Sequence, residues 1–237
     1  MLENILKQKA NQIGIDLSKN QIQKFLLYKD MLLEWNEKIN LTAITDPEEI
    51  IVKHFIDSLT CVKYIKEGSK VIDIGTGAGF PGIPLKIYFE DKIHITLLDS
   101  LNKRINFLNE VIKELRLDEI DTIHSRAEDA GTNGLYREKF DVVLSRAVSN
   151  MAILAEYCMP LVKVNGSMIC MKGNNPEGEI EEAKKAIDAL GGKIERIEHI
   201  ILPDTDINRS FVLLNKIKQT PKEYPRKAGK ASKNPIR

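Results

Sequence analysis

Four glycines follow an acid in Asp73-Ile74-Gly75-Thr76-Gly77-Ala78-Gly79-Phe80-Pro81-Gly82, a spacing that suits a backbone cradle beside a nucleotide. Glycine lets the chain turn tightly next to a ligand and lets main-chain N–H groups approach it closely. Gly77, Gly79 and Gly82 satisfy the G-x-G-x-x-G dinucleotide fingerprint, whereas Asp73, Gly75, Gly77 and Gly79 give the D-x-G-x-G-x-G loop of enzymes that bind S-adenosylmethionine. Register separates the two, because a dinucleotide motif begins as its strand ends. Here Val71-Ile72-Asp73-Ile74 closes at Ile74 and makes Gly75 the first loop residue, which favours S-adenosylmethionine. A phosphate-cradling loop is excluded: it needs Gly-Lys-Ser/Thr, and the last glycine precedes Ile83 and Pro84. A glycine-rich turn with no ligand is the plain alternative.

Other residues with chemical potential fall at strand ends. Asp99 closes Ile93-His94-Ile95-Thr96-Leu97-Leu98-Asp99, about 24 residues after Gly75, near the spacing at which an acid accepts hydrogen bonds from ribose hydroxyls. Ser100 follows, placed either to contact adenosine or to cap a helix. Ala127 and Glu128 stand where an adenine would lie, or else they simply start an acidic helix. Arg146, at the end of the fourth strand, stands between cofactor and acceptor, where a guanidinium can pair with a carboxylate or orient a base. No Asn/Asp-Pro-Pro-aromatic tetrad occurs at that strand end and no cysteine nucleophile is in a catalytic loop, which excludes two common base-methylation chemistries. Lys172 and Arg209 are candidate phosphate contacts on the same rim. His54 and Asp57 share a helical face, as a catalytic dyad or as a contact that docks the N-terminal part.

The elements that must position these groups can be read from periodicity. Residues 1–66 form an N-terminal helical subdomain, with Ile22, Phe25, Leu26, Met31, Leu32 and Ile39 at three- and four-residue steps. Asp46-Pro47 starts a helix expected to run to about Tyr64. Residues 67–217 alternate strand and helix, which implies a parallel, doubly wound sheet. The last two strands are separated only by Pro203 to Arg209, too short for a crossover helix, so they pair as an antiparallel hairpin. The expectation is therefore an α/β chain with the class I S-adenosylmethionine methyltransferase (Rossmann-like) fold: seven strands, mostly parallel, closed by a C-terminal antiparallel hairpin.

Composition excludes other classes. With 237 residues and 43% hydrophobic content the chain can bury a full core, and no apolar run approaches the length of a membrane span. The opening MLENILKQKANQ lacks the apolar stretch of a secretion signal, so a cytoplasmic location is expected, with no membrane partner. Cys61, Cys158 and Cys170 are widely spaced and fit neither a disulfide framework nor a metal site; they read as buried small hydrophobes, and no metal is expected. Net charge is +1, yet Lys216 to Arg237 hold eight cations against Glu223, a charge of +7 that leaves −6 on residues 1–215. Residues 218–237 thus read as a basic tail seeking a polyanion, with Arg226 and Lys227 beside Tyr224 and prolines in a semi-rigid arm. Removing the tail is expected to weaken polyanion binding and spare cofactor binding.

Taken together, Asn40-Leu41-Thr42-Ala43-Ile44, KHFIDSL (53–59), DIGTGAGFPGIPL (73–85), LLDSLNKRINFL (97–108), SRAED (125–129), LSRAV (144–148), MKG (171–173) and YPRKAGKASKNP (224–235) resemble the glucose-inhibited division protein B family. That family comprises bacterial 16S ribosomal RNA guanine-N7 methyltransferases. One departure is Lys53, where the family pattern has arginine before the histidine. The resemblance implies methyl transfer from S-adenosylmethionine to N7 of one guanine near the decoding region, on RNA or on the small-subunit particle. It places cofactor contacts on Gly75, Phe80, Asp99, Ser100, Ala127, Glu128 and Arg146, beside the loop residues Asp73 and Gly77. Guanine N7 has a lone pair and no proton to lose, so no general base is needed, and Arg146 is the candidate orienting residue. A monomer is expected. Two other classes keep some claim on the sequence: a nicotinamide-dependent oxidoreductase, which leaves the hairpin and basic tail unexplained, and a noncatalytic RNA-binding module, which needs no adenosine pocket.

Overall fold

Seven strands form one sheet in the order β3-β2-β1-β4-β5-β7-β6 in the computed structural model, which describes residues 1–146, 149–173 and 175–236. Ala147 and Val148 of the LSRAV motif, and Arg237 of the tail, lie outside the described residues. The chain begins with α1 (Leu2–Gln12), α2 (Lys19–Asn36) and α3 (Pro47–Ile50), continues through a π-helical stretch, Ile51–Ile56, and ends this region with α4 (Asp57–Leu59). Alternation then starts: β1 (Lys70–Ile74), α5 (Gly82–Phe89), β2 (His94–Asp99), α6 (Asn102–Glu114), β3 (Ile120–His124), α7 (Ala127–Thr132), β4 (Phe140–Arg146) and α8 (Met151–Cys158). The remainder is β5 (Val162–Lys172), α9 (Glu177–Ala189), β6 (Gly192–Ile201), β7 (Asn208–Lys216) and the short α10 (Lys230–Lys233).

β1 pairs in parallel with both β2 and β4, and the strand order reverses between β1 and β4. Ligands of open α/β sheets bind beyond the carboxyl ends of strands at such a reversal. β5 to β7 and β7 to β6 are antiparallel, so the expected terminal hairpin is present.

Alternate strand residues feed two cores, one on each sheet face. Val71, Leu97, Leu144 and Leu213 pack with Phe25, Phe55, Phe107 and the N-terminal helices. Ile72, Leu98, Val143 and Val212 pack with α8 and α9 residues such as Leu154 and Ile187. The N-terminal helices therefore share a continuous core with one side of the sheet. Cys61, Cys158 and Cys170 are free and buried, and burial pushes their thiols upward out of the reactive range.

Asp46 caps α3 by accepting from the N–H groups of Glu48 (3.0 Å) and Glu49 (2.9 Å), as Asp46-Pro47 leads one to expect. Two expectations change. The plain helix to Tyr64 is instead interrupted by the π-helical Ile51–Ile56, with α4 closing at Leu59 and a 3₁₀ turn over Val62–Tyr64. The wider turn alters which side chains face one another around His54, something apolar spacing does not report.

The second change concerns the tail, which folds back instead of extending as an arm. Lys216 is buried, bonding the Met159 carbonyl (2.5 Å) and Thr220 Oγ1 (2.5 Å), and burial lowers its pKa to about 8. Arg226 forms an ion pair with Glu156, itself 1% exposed, through Nε (2.8 Å) and Nη2 (2.5 Å). Lys218 pairs with Asp188 at 3.2 Å. Body acids thus answer Lys218 and Arg226, while Lys222, Lys227, Lys230 and Lys233 stay exposed.

Candidate active site

Two clefts open beyond the carboxyl ends of β1, β2 and β4, and they meet at Gly75 and Ser100. Both originate in the turn after Ile74. Gly75 (φ 66°) and Gly77 (φ 62°) adopt left-handed backbone that side chains resist. A Cβ on Gly77 would meet nothing closer than 4.0 Å, so space is left over the loop itself. From the opposite side the buried Tyr28 of α2 donates its hydroxyl to the Ala78 carbonyl and ties the loop to the N-terminal helices.

The first cleft, about 340 Å³, has apolar walls from Ile74, Leu98 and Ala127 and polar groups from Ser100 and Glu128. An apolar slot with a few convergent polar groups suits a purine nucleoside. Its far wall is the tail: Gly229 and Ser232 line it, and the Gly229 N–H donates to Glu128 Oε1 at 3.0 Å. Tyr157 of α8 completes that side. Ser100 faces both clefts and does not cap α6, whose N-cap is Leu101.

The second cleft, about 470 Å³, lies over Gly75, Gly77 and Phe80 and reaches Thr42 and His54 of the N-terminal region and Arg146 of β4. Asp99 stands at its edge, 2% exposed, and holds the loop together. Its Oδ2 accepts from the Gly77 N–H (3.0 Å) and Arg104 Nη1 (3.2 Å), and Oδ1 from the Leu101 N–H (2.9 Å). Phe80 is more than an apolar wall, because His54 stacks on it at 4.4 Å with an interplanar angle of 12° and the Arg146 guanidinium lies 5.0 Å from its centroid.

Arg146 organises this side. Its Nη1 bonds Asp57 Oδ2 at 3.1 Å, and its Nη2 approaches His54 Nδ1 at 3.4 Å. Asp57, 2% exposed, accepts on its other oxygen from Arg209 Nε at 3.0 Å. Two guanidiniums on one carboxylate leave one excess positive charge, suited to an anionic group entering the cleft. His54 and Asp57 do not bond each other; Arg146 spans them, so the dyad is replaced by a clamp. Burial, reinforced by the Arg146 charge, lowers the His54 pKa to about 3. Its other nitrogen, Nε2, lies 2.8 Å from Thr42 Oγ1.

Asp73 lies beneath the loop, fully buried, with Oδ2 accepting from Thr76 Oγ1 (2.6 Å) and the Gly82 N–H (3.0 Å). Its Oδ1 is buried with no partner, and burial raises the carboxyl pKa to about 6. A buried acceptor without a donor is costly and marks a place for a cationic or N–H group from outside the chain. With the purine-shaped cleft and the arginine-rich second cleft, it gives a donor set that fits S-adenosylmethionine, which combines an adenosine, an ammonium and a carboxylate.

Residues 21–208 match the model of the family GidB: rRNA small subunit methyltransferase G. The chain belongs to the GidB family. Among its relatives, the ribosomal RNA small subunit methyltransferase G of Alkaliphilus metalliredigens is 52% identical over 98% of this chain and 98% of the relative. That of Acetivibrio thermocellus is 53% identical over 99% and 97%. Among solved structures, a SAM-dependent methyltransferase from Aquifex aeolicus superposes with a TM-score of 0.54 at 18% identity, covering 77% of this chain and 97% of that one. Pyrococcus horikoshii TYW2 in complex with MeSAdo gives a TM-score of 0.54 at 15% identity over 68% and 61%. At these identities the structural likeness establishes the fold, that of class I S-adenosylmethionine methyltransferases.

In this GidB-family chain the proposed cofactor residues Gly75, Gly77, Phe80, Asp99, Ser100, Ala127, Glu128 and Arg146 all line the joined clefts, with Asp73 directly below. The proposed phosphate contacts are placed differently. Lys172 bonds the Ser149 carbonyl (2.6 Å) and Glu179 (2.9 Å), Arg209 bonds Asp57, and Arg226 bonds Glu156, so each is held by the chain's own acids; Lys227 is exposed. Sequence reasoning assigned no role to Thr42, Arg104, Tyr157 or Ser232. Arg104 had a signal, one turn into the helix after Asp99; Tyr157 and Ser232 had none.

Proposed function

We propose that this chain transfers the methyl group of S-adenosylmethionine to N7 of a guanine in 16S ribosomal RNA near the decoding region. The observation that carries the reading is the meeting of a nucleoside-shaped cleft and an arginine-lined cleft at Gly75 and Ser100. Family membership supplies the acceptor class. When bound, the cofactor supplies an electrophilic methyl on its sulfonium. Ile74, Leu98 and Ala127 would sandwich the adenine, Ser100 and Glu128 would meet its polar edges, and Asp99 would fix the loop against the ribose. Arg146, which shares Asp57 with Arg209, has charge to spare for the cofactor carboxylate.

The acceptor side needs orientation more than proton transfer. Guanine N7 presents a free lone pair, so a base would have nothing to remove. His54 agrees with this: it is neutral throughout the physiological range and both its nitrogens are engaged. What the chain's own residues would supply is the orientation of N7 towards the methyl group, with no proton to move. The substrate is the RNA or the small-subunit particle, the enzyme acts as a monomer, and its location is the cytoplasm. Residues 1–66, 67–217 and 218–237 serve as RNA-side rim, catalytic domain and a tail that walls the cofactor cleft. Exposed Lys222, Lys227, Lys230 and Lys233 remain to meet phosphates. No described helix is long and apolar enough to cross a membrane.

The test is incubation with radiolabelled S-adenosylmethionine and small-subunit RNA, free or in particles, followed by cleavage at N7-alkylated guanines. Label at one guanine is expected; cofactor binding without label on any RNA would overturn the acceptor assignment. Arg146→Ala should lower both cofactor affinity and turnover, and retention of both would remove its carboxylate role.

A further inference from the structure

Most side-chain donors on the rim of the second cleft are committed within the chain, apart from Arg104 Nε, which is buried with no partner. Arg104 serves Asp99, Arg146 serves Asp57 and approaches His54, and Arg209 serves Asp57. Thr42 is different. Arg146 Nη2 lies 3.4 Å from His54 Nδ1 and a guanidinium only donates, so we assign Nδ1 as the acceptor and the imidazole proton to Nε2. Nε2–H then donates to Thr42 Oγ1 across 2.8 Å. The same oxygen accepts from the Ile44 N–H at 3.0 Å. Both hydroxyl lone pairs are filled, and among the described residues the Thr42 hydrogen has no acceptor. Thr42 is half-buried and lines the cleft, so the direction left for that hydrogen is the cleft itself.

A fixed donor at this place distinguishes the purines. Guanine offers two acceptors on its outer edge, N7 and O6, whereas adenine offers N7 and a donating amino group. A donor aimed at N7 would occupy the lone pair that must attack, so the useful target is O6. Resting on the guanine-N7 reading above, we propose that the Thr42 hydroxyl donates to O6 of the target guanine and is a specificity-determining residue. The chain Arg146–His54–Thr42 turns an adaptable hydroxyl into a donor of fixed direction, because its acceptor capacity is spent. Adenine would present a donor to a donor and leave Thr42 unpaired.

The experiment uses the full-length enzyme and small-subunit RNA ligated around the mapped target, carrying at that position guanine, inosine or 2-aminopurine. Inosine keeps O6 and N7; 2-aminopurine keeps N7 and lacks O6. The quantity read is kcat/KM for guanine divided by that for 2-aminopurine, within each variant, so that a general loss of activity or stability cancels. The wild-type enzyme should accept inosine nearly as well as guanine and disfavour 2-aminopurine. Thr42→Val should shrink the guanine preference by about tenfold and Thr42→Ser should keep it. An unchanged ratio in Thr42→Val would overturn the proposal. So would equal use of guanine and 2-aminopurine by the wild-type enzyme, a result that stands even if the valine variant does not fold. Methylation absent from guanine N7 in wild type would instead overturn the underlying reading, and the proposal with it.

Discussion

The two clefts are adjacent, yet they are built by different means. The nucleoside cleft is made of strand ends and apolar side chains, with Glu128 held by the tail N–H of Gly229. The second cleft lies over the glycine turn and is bordered by charge: Asp57 between Arg146 and Arg209, with His54 and Thr42 attached to that cluster. The first is therefore expected to tolerate small changes in side-chain polarity, and the second to depend on every member. A buried carboxylate that serves two guanidiniums repays its desolvation only while all partners are present.

Losing Asp57 should have the largest effect. Asp57→Asn leaves two arginines without their counter-charge and is expected to cost about 3 kcal/mol of stability, read as a lowered urea midpoint. An unchanged midpoint would mean that the cluster is a solvated surface feature. The tail comes next. Deleting residues 226–237 removes both the Arg226–Glu156 pair and the Gly229–Glu128 bond, so cofactor Kd should rise about tenfold, or about 1.4 kcal/mol, in a calorimetric titration. This reverses the sequence expectation that the tail is dispensable for the cofactor, and an unaltered Kd would restore it.

pH separates the two regions by sign. The His54 pKa is lowered from 6.5 to about 3, so its contribution to stability is full above about pH 6.5 and is lost as pH falls toward 3. The Asp73 pKa is raised from 3.8 to about 6, so its contribution is present below about pH 4 and is lost as pH rises through 6. Between about pH 4 and 6 the two slopes oppose. His54→Phe should gain less stability than wild type on going from pH 4.5 to 6.5, and Asp73→Asn should gain more, as measured by Tm. Parallel curves for all three would dissolve the distinction. Smallest of all, Tyr28→Phe removes one hydroxyl from the buried Ala78 carbonyl and should cost about 1 kcal/mol in the same denaturation assay.

What the sequence disclosed divides by how far apart the partners stand along the chain. The glycine turn, Asp99, the β/α alternation and the closing hairpin are local patterns, set by neighbours a few residues apart. The charged cluster joins Asp57 to partners 89 and 152 residues away, and the tail reaches Glu156 and Glu128 over 70 and 101 residues. No periodicity encodes such pairings. Arg209, Lys172 and Arg226 therefore read as free cations, although each has an acid waiting for it on another element. The π-helical turn hid the relation of His54 to Asp57 for a related reason, since it changes side-chain phase without changing the apolar pattern.

The most direct test is the single-turnover rate of methyl transfer to small-subunit RNA between pH 6.5 and 8.5, with cofactor saturating. Attack by guanine N7 in a site that works by orientation, beside a histidine already neutral at the lower limit, predicts a flat profile. A rate that climbs about tenfold per pH unit would mean that a proton must leave before transfer, and would contradict the account.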